Sequence, residues 1–292
     1  MSGRVSDWAR YWRADGVPVE AMHAHFTAHV YHRHSHESYS FGVTETGAQA
    51  FSCRRGRHVS QAGMVMAFNP DDPHDGRAAG GASFTYRIVH IWPEFFADLI
   101  DTGAAGPLPL FGSPVLDDAL LAGSVRGLHI ALTGRATELE RYERLVGTAR
   151  LLVRHASGRS GSAGLGMAAG AGAAGAAGAA GAVAAARIRE LIHDADTAVE
   201  LTADDLGAVA GCSRYAAYRA FTTAYGMAPS DYRRQLRVRA ARRLLGQGVS
   251  PARAAAEAGF ADQAHLTRWF RRYYGVTPGA YRAASHADGT GR

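Results

Sequence analysis

The spacing of apolar and polar residues divides the chain into a strand-rich first part and a helical second part. From residue 24 to about residue 91 the two kinds alternate in short runs between Gly and Pro residues, which predicts β-strands. Gly47, Gly56, Gly63 and Gly76 fall where turns are needed. This regular spacing favours a small barrel or a double-sheet jelly roll over residues 1–112, with residues 1–22 at its periphery.

Apolar residues then recur every three or four positions, which predicts helices that cover the barrel over residues 113–156. Residues 157–182 are almost entirely Gly and Ala, with few large apolar side chains for a membrane span. Because Gly costs about 1 kcal/mol relative to Ala in a helix, we expect a linker of partial helicity. Residues 285–292 are expected to form a disordered tail.

Residues 183–284 contain two passages built on one plan. Each passage has a short Ala-rich helix, a glycine turn, a small polar residue that can cap the next helix, and a longer helix rich in Arg and aromatic residues. The glycines are Gly211 and Gly259, and the capping residues are Ser213 and Asp262. This pattern predicts two helix-turn-helix units, which are typical of proteins that bind the major groove of DNA.

A long helix over residues 231–245 is expected to join the two units. The spacing of its apolar residues predicts a buried stripe of Tyr232, Leu236, Ala240 and Leu244. The same spacing leaves five arginines largely outside, namely Arg233, Arg234, Arg237, Arg242 and Arg243. Arg237 could instead be partly buried in a structural pair with an acidic residue.

The run AEAGFADQAHLTRWFRRYYGVTPGAYR in the second unit resembles the signature of the AraC/XylS family of bacterial transcription regulators. The first unit is similar to the other half of that family's domain, and DYRRQLRVRAARRLL resembles its connecting helix. The resemblance implies that the longer helix of each unit enters the major groove, at positions one helical turn or about 34 Å apart. It implies base-facing positions at Arg214, Tyr215, Tyr218 and Arg219, and at Gln263, Ala264, Thr267 and Arg268, with His265 as a further candidate.

The chemistry of these side chains suits base recognition. Arg bridges O6 and N7 of guanine, Gln pairs with adenine, and Ala264 offers only an apolar contact. Arg219 and Arg268 are the strongest candidates, although each Arg could instead lie on a solvated face or contact a phosphate. Phe221, Trp269 and Phe270 are expected in the core.

The charge distribution agrees with a polyanionic partner for the second part of the chain. All 32 basic residues are Arg, and from residue 187 to residue 283 there are 15 Arg against 9 acidic residues. Coding bias toward Arg would explain the missing Lys, but it would not explain where the excess lies. The two cysteines suggest no disulfide framework, and the polar N-terminus lacks the apolar run of a signal peptide, so we expect a cytoplasmic protein.

A histidine pattern in the first part carries possible ligand chemistry. His32, His34 and His36 alternate, which places them on one face of a strand, and a turn precedes His74. This order resembles a cupin, a small barrel often found as the sensor of AraC-type regulators. In metal cupins, imidazoles from these two places bind one divalent ion.

The metal pattern is incomplete in this chain. The positions of the metal cupins' carboxylate hold Ser40 and Phe41, and Glu37 would point to the opposite face of a regular strand. We therefore expect no metal or other cofactor, and the cluster of His34, His36 and His74 remains a weak candidate. A pocket for a small molecule is favoured instead, with polar contacts from His34, His36, Tyr39, His74, Arg87 and His90.

The expected fold is therefore an α+β two-domain chain, with an N-terminal cupin-like barrel plus helices and a C-terminal all-α domain of two helix-turn-helix units. The expected function is a ligand-responsive regulator that binds promoter DNA, acts with RNA polymerase and has no membrane partner. The resemblance also implies a homodimer whose interface is formed by the helices over residues 113–156, which could at the same time cover the barrel. The family leans toward activators. Two alternatives are a cupin metalloenzyme with an accessory DNA-binding domain, and an architectural protein that binds DNA without sequence preference.

Overall fold

The computed structural model describes residues 6–14, 17–54, 56–100, 108–160, 176–195 and 199–284. The chain divides into two compact units, one built mainly on residues 1–165 and the other on residues 166–271 and 277–282. The first unit is rich in strands and the second is helical, so the predicted α+β two-domain class is confirmed. Residues 161–175 of the predicted linker and the predicted tail 285–292 lie outside the described residues.

The N-terminal domain is formed by antiparallel strands followed by helices. Its described strands are β1 (Trp8–Arg13), β2 (Val19–Phe26), β3 (Tyr31–His34), β4 (Tyr39–Cys53), β5 (Gly56–Gln61), β6 (Val65–Phe68), β7 (His74–Ala78), β8 (Phe84–Ile91), β9 (Leu108–Leu110), β10 (Val115–Leu116) and β11 (Gly158–Ser160). Its helices are α1 (Pro93–Leu99), α2 (Ala119–Thr133) and α3 (Glu138–Val153).

Strand β4 organises this domain because its two halves pair with different strands. The first half lies between β8 and β6 in the order β1-β2-β8-β4-β6-β10, and the second half pairs with β5 and β7. A register irregularity between Thr44 and Thr46 marks the change. Gly47 follows it with φ +69°, and a Cβ there would lie 2.0 Å from the carbonyl oxygen of Ser83. Gly47 therefore bends one continuous strand, where a turn between two strands was expected.

Two further sequence expectations about this domain can be compared with the structure. Residues 8–13, expected at the periphery with Trp8, Tyr11 and Trp12 able to pack on a neighbour, form the edge strand β1, which pairs with β2 over six residues and buries Tyr11. Gly76 lies inside β7 and not in a turn, whereas Gly63 does occupy the turn before β6 with φ +90°. Strand β7 pairs with β3, and this pairing sets His34 directly opposite His74.

Helices α2 and α3 cover one face of the sheet, as their apolar spacing predicted. Leu121, Val125 and Leu128 of α2, with Leu145 and Leu152 of α3, are almost fully buried in one core cluster with the sheet. A capping box between Thr137 and Glu140 begins α3, since each residue's side chain satisfies a backbone N–H of the other. These helices therefore form a fixed layer on the strand-rich domain.

The C-terminal domain contains seven described helices. They are α4 (Ala176–Asp194), α5 (Ala203–Ala210), α6 (Arg214–Tyr225), α7 (Pro229–Gly246), α8 (Pro251–Glu257), α9 (Gln263–Tyr274) and α10 (Pro278–Ala284). Helix α4 begins at Ala176, inside the segment predicted as a linker. None of the described helices is long and apolar enough to cross a membrane.

The buried face of α7 differs from the predicted one. Gln235, Val238, Arg239 and Leu245 are buried, while the predicted stripe residues Tyr232, Leu236, Ala240 and Leu244 are only half-buried. Arg242 was expected outside but is also buried, and its Nε donates a hydrogen bond of 3.2 Å to the Tyr281 hydroxyl. The long aliphatic stem of Arg packs against apolar neighbours while its polar head finds a partner, so an arginine pattern alone does not mark the outer face.

Candidate functional site

The first helix-turn-helix unit is formed by α5 and α6. Gly211 ends α5 with φ +66°, in the left-handed region that glycine adopts without strain. Ser213 then begins α6, because its Oγ accepts a hydrogen bond from the N–H of Ala216 at 3.3 Å. Both roles were predicted. Gly207 was not singled out, but a Cβ there would lie 2.9 Å from the carbonyl oxygen of Cys212, so the small residue allows α5 to approach the turn.

The second unit, α8 and α9, repeats this design. Gly259 has φ +74° in the turn, and Asp262 accepts a hydrogen bond from the N–H of His265 at the start of α9. Leu266 and Phe270 face the core and are fully buried, as Phe221 is in the first unit. We call α6 and α9 the reading helices.

The predicted DNA contacts lie on the outer sides of the reading helices. On α6 all four are exposed: Arg214, Tyr215, Tyr218 and Arg219. On α9 Gln263, Ala264 and Arg268 are exposed, and His265 and Thr267 are half-buried. Tyr215 is 68% exposed, and the Arg219 guanidinium lies 5.8 Å from its ring centroid, so the two side chains cover adjacent surface.

Trp269 differs from its expected place in the core. It is half-buried, and its indole N–H donates to Nε2 of His265 at 3.1 Å. The Arg234 guanidinium lies 3.9 Å from its ring centroid, within the range of a cation–π interaction. Trp269 therefore links the connecting helix α7 to a candidate contact residue on α9.

A groove of about 890 Å³ in the C-terminal domain is lined by both units. Tyr218 of α6 lines it together with His265 and Trp269 of α9, so residues of both reading helices open onto one concave surface. Arg233, Arg234 and Arg237 of α7 also line this groove. Burial, followed by the positive charges of the two neighbouring arginines, lowers the pKa of Arg237. The described lining thus carries three arginines against one acidic residue, Glu200, and this excess of positive charge suits phosphate groups.

A second candidate site lies in the N-terminal domain, where the structure brings three predicted histidines together. The ring centroid of His34 lies 4.8 Å from that of His36 and 4.5 Å from that of His74. One nitrogen from each of the three rings lies within 4.8 Å of the others. His34 and His74 are buried and His36 is 9% exposed. Their cavity is also lined by His90, whose ring centroid lies 4.8 Å from that of His36.

Hydrogen bonds to the backbone orient two of these imidazoles. Nδ1 of His34 lies 2.7 Å from the carbonyl oxygen of His32, and Nδ1 of His74 lies 2.8 Å from that of Asp72. A carbonyl oxygen only accepts, so Nδ1 carries the proton in both rings and Nε2 carries the lone pair. Burial lowers the pKa of His74 to about 4, so this ring is neutral at physiological pH.

The loop before His74 is held in place by side chains on either side of it. Arg54 forms an ion pair with Asp72 and also donates to the carbonyl oxygens of Phe111 and Gly112. Asn69 completes the loop's support, because its Oδ1 accepts from the N–H of Phe111 at 2.9 Å. His74 is therefore positioned by a braced turn.

The remaining lining of this cavity is mostly aromatic and apolar, with Gln49 and Asp75 as its polar members. Phe68 stacks on His74 with ring centroids 4.0 Å apart, and the hydroxyls of Tyr31 and Tyr86 share a hydrogen bond of 2.7 Å. These residues were not predicted as part of the site. The alternation of Tyr86, Ile88 and His90 along β8 was a signal, since it places all three on one face.

Tyr39 and Arg87 were predicted as ligand contacts, but the alternation of side chains along β4 and β8 directs both away from the cavity. Tyr39 lies in the core between sheet and helices, and its hydroxyl donates to the carbonyl oxygen of Pro109 at 2.8 Å. Arg87 lies on the opposite face of β8 from His90, and its Nε lies 3.3 Å from a carboxylate oxygen of Glu45. Neither residue lines the histidine cavity.

A half-buried polar cluster that sequence reasoning missed is formed around Arg87. Its guanidinium is 3.2 Å from Nδ1 of His129 on α2, and Glu45 also accepts from Arg126 at 3.0 Å. His129 is fully buried, and burial followed by the positive charge of Arg87 lowers its pKa to about 3. This cluster ties α2 to the sheet with a neutral histidine.

Two helix-turn-helix units on one basic groove, in a chain with a separate strand-rich domain, define a DNA-binding regulator with its own sensor. Residues 16–148 match the family model of the AraC-like ligand binding domain, and residues 206–284 match that of a helix-turn-helix domain. The chain belongs to the AraC family of transcription regulators, and it is a ligand-responsive, DNA-binding member.

Similar proteins agree with this assignment. The uncharacterized HTH-type transcriptional regulator YbfI of Bacillus subtilis is 27% identical over 234 residues, which cover 80% of each chain. The transcriptional activator NphR of Rhodococcus is 38% identical over 96 residues, which cover 32% of this chain and 27% of NphR. The crystal structure of unsaturated fatty acid bound ToxT from Vibrio cholerae has the same fold, with a TM-score of 0.52, 12% identity and 97% coverage of both chains. The apo form of a ToxT variant from the same organism gives a TM-score of 0.51 at 10% identity, covering 95% of this chain and 97% of that one.

Proposed function

We propose that the chain is a transcription activator that binds promoter DNA with both reading helices at once and responds to a small ligand in the N-terminal domain. One observation carries the proposal: Tyr218 of α6 and His265 of α9 line the same groove, whose wall also includes three arginines of α7. A surface shared by both reading helices allows one duplex to approach both of them.

The two kinds of arginine in this domain have different roles in the proposal. Arg219 and Arg268 stand exposed on the reading helices and contact guanine edges in successive major-groove segments. Arg233 and Arg237 in the groove hold the phosphates of the backbone that passes between those segments. Base contacts carry specificity, whereas phosphate contacts position the duplex and contribute salt-dependent affinity.

The outer faces of α2 and α3 support the proposal that the protein acts as a homodimer. Leu120 and Ile130 of α2, with Leu139 and Tyr142 of α3, are large apolar side chains that are more than half exposed. A second copy would cover them. We expect Leu139→Glu to shift the full chain from dimer to monomer in sedimentation equilibrium, whereas Glu138→Gln leaves it dimeric. An unchanged molecular mass in both variants would contradict this interface.

The direction of regulation is proposed from similarity and from the family. NphR is named as an activator, and it is 38% identical to this chain over 96 residues. An activator acts through RNA polymerase at the promoter, which places it in the cytoplasm. We propose that the N-terminal domain senses and does not catalyse, because residues 16–148 match the family model of a ligand binding domain.

Competition binding tests sequence-specific recognition directly. A labelled fragment selected from genomic DNA by the full-length protein is challenged with unlabelled specific DNA or unrelated DNA at one fixed salt concentration. We expect a preference of at least about 10³ for the specific competitor. Equal competition by both DNAs would favour the architectural alternative and refute the proposed function.

A further inference from the structure

We propose that the ligand sensed by this protein is a divalent transition-metal ion of the zinc and nickel class, held by His34, His36 and His74. This inference rests on the proposed function, because it names the effector of that regulator. It departs from the expectation that the N-terminal domain holds no metal.

The donor geometry is the first support. One nitrogen from each imidazole lies within 4.8 Å of the other two. A metal ion with bonds of about 2.0–2.1 Å to nitrogen separates tetrahedral ligands by about 3.4 Å. The longest separation must therefore close by about 1.4 Å, which side-chain rotations can supply.

The hydrogen bonds behind the rings are the second support. Histidines that bind a metal generally donate their other ring N–H to a backbone carbonyl or a carboxylate, which fixes the ring and its tautomer. His34 and His74 do this through Nδ1, to the carbonyl oxygens of His32 and Asp72. Nε2 of each ring is thus the lone-pair donor before any ion arrives.

The charge of the cavity is the third support. Among the described residues that line it, Asp75 is the only Asp, Glu, Lys or Arg. An anionic organic ligand would find no guanidinium or ammonium group in that lining, whereas a cation meets imidazole nitrogens and the Asp75 carboxylate. Imidazole ligands suit zinc, nickel, copper and iron, and an all-nitrogen set disfavours magnesium and calcium, which prefer oxygen.

The position of the ligands suggests how an ion would act as a signal. His34 ends β3 and His74 begins β7, and the two residues are cross-strand partners, while His36 lies in the segment leading to β4. An ion held by all three nitrogens links these segments and restricts their movement relative to one another. It therefore stabilises the linked arrangement over others, which is the differential affinity that an effector requires.

Metal binding is tested on the full-length chain without an affinity tag, stripped with a chelator and titrated with Zn²⁺, Ni²⁺ and Cu²⁺. After gel filtration, we expect elemental mass spectrometry of the protein fraction to give one metal ion per chain. Among the three ions, Cu²⁺ should bind most tightly. His34→Gln and His74→Gln should each weaken binding by more than about tenfold, since even residues that only hydrogen-bond to a metal ligand contribute that much. His58→Gln is the matched control, because His58 lies on β5 outside the cluster, and it should bind like the parent.

Less than half an ion per chain in the parent protein, or equal losses in the cluster variants and the His58→Gln control, would overturn the metal site. If the cluster variants fail to fold by circular dichroism, the visible spectrum of the parent protein with Co²⁺ decides. Absorption bands of a nitrogen-ligated ion support the site, and a spectrum identical to free Co²⁺ overturns it.

The signalling role is tested by anisotropy with the selected DNA fragment, with the ion or with chelator. We expect a change in DNA affinity of at least about fivefold in the parent and in His58→Gln, and none in His74→Gln. Bound metal without any change in DNA affinity would overturn the effector assignment. Specific DNA binding in a protein that takes up no metal would leave the proposed function standing and reject only this inference.

Discussion

Arg268 offers the sharpest single-residue prediction about DNA recognition. It is exposed on α9, whereas Arg253 is exposed on α8 and paired with Glu257. We expect Arg268→Ala to weaken binding by about 1–3 kcal/mol and to relax the preference at one base pair, because a bidentate contact to guanine is lost. Anisotropy with a set of singly substituted sites at constant salt measures both effects.

Arg253→Ala is the control for that measurement and should leave the base preferences unchanged. A loss in Arg268→Ala that is equal on every site would show that this residue contacts only phosphate, and it would contradict the assigned role.

His129 makes a prediction about acid stability. Its folded pKa of about 3 lies below the usual value of 6.5, because burial and then Arg87, together with His23 on β2, disfavour its charged form. Glu45 forms an ion pair with Arg87, and the Arg87 guanidinium stays beside His129 in this arrangement. The unfolded chain therefore binds a proton that the folded chain does not, from about pH 6.5 downward.

The free energy of unfolding should consequently fall as the pH is lowered from about 6.5 toward 4, by up to about 1.4 kcal/mol per pH unit from this one group. Above about pH 7.5, the titration of His129 should no longer change the free energy of unfolding with pH. Urea unfolding at several pH values measures the free energy of unfolding of the N-terminal domain in the parent protein and in His129→Gln. The same slope in both proteins would show that His129 does not carry the effect.

At the scale of single residues, alternation was a better guide than polarity. His34 and His36 were placed together correctly because their spacing in an extended segment puts them on one side. Tyr39 and Arg87 were included for their polar groups, although the alternation of β4 and β8 directs them away from the cavity. The pairing of His34 with His74 depends on the register of β3 and β7, which no local pattern contains.

Among the elements, α5 makes the clearest prediction. Gly207→Ala should destabilise the C-terminal domain, because the new Cβ would lie 2.9 Å from the carbonyl oxygen of Cys212. The strain of such overpacking, about 1–3 kcal/mol, exceeds the roughly 1 kcal/mol that Ala gains over Gly in a helix. Thermal unfolding followed by circular dichroism shows whether Gly207→Ala lowers or raises the stability.

Gly181→Ala in α4 is the matched control. A Cβ at Gly181 meets nothing within 4 Å, so the same substitution should be neutral or slightly stabilising. If both substitutions raised the unfolding temperature, the close approach of α5 to the turn after it would be refuted.

The elements also show where sequence patterns stop being informative. The turn glycines and caps of α6 and α9 were predicted because each satisfies a local backbone requirement. The predicted buried stripe of α7 was displaced by one residue along the sequence. The arginines of this helix lie on several of its sides, and Arg242 pairs with Tyr281, a residue 39 positions away. Only the tertiary structure decides which aliphatic stems are covered.

For the whole molecule, the two-domain plan and the DNA-binding role followed from the sequence, because the duplicated pattern and the charge excess lie in the same segment. The groove lined by Tyr218, His265 and the α7 arginines could not be predicted from the sequence. It depends on how the two helix-turn-helix units pack around α7. The groove also changes the interpretation of Arg233 and Arg237, from a solvated helix face to candidate phosphate contacts.

Methylation interference on a fragment selected by the full-length protein tests the two-helix account most directly, because methylation of guanine N7 blocks contacts in the major groove. The account predicts two blocks of interference whose centres lie about 10 base pairs apart on one side of the duplex. It also predicts that Arg219→Ala weakens one block while Arg268→Ala weakens the other. A single block, or two blocks on opposite sides of the helix, would contradict the claim that both reading helices bind one duplex together.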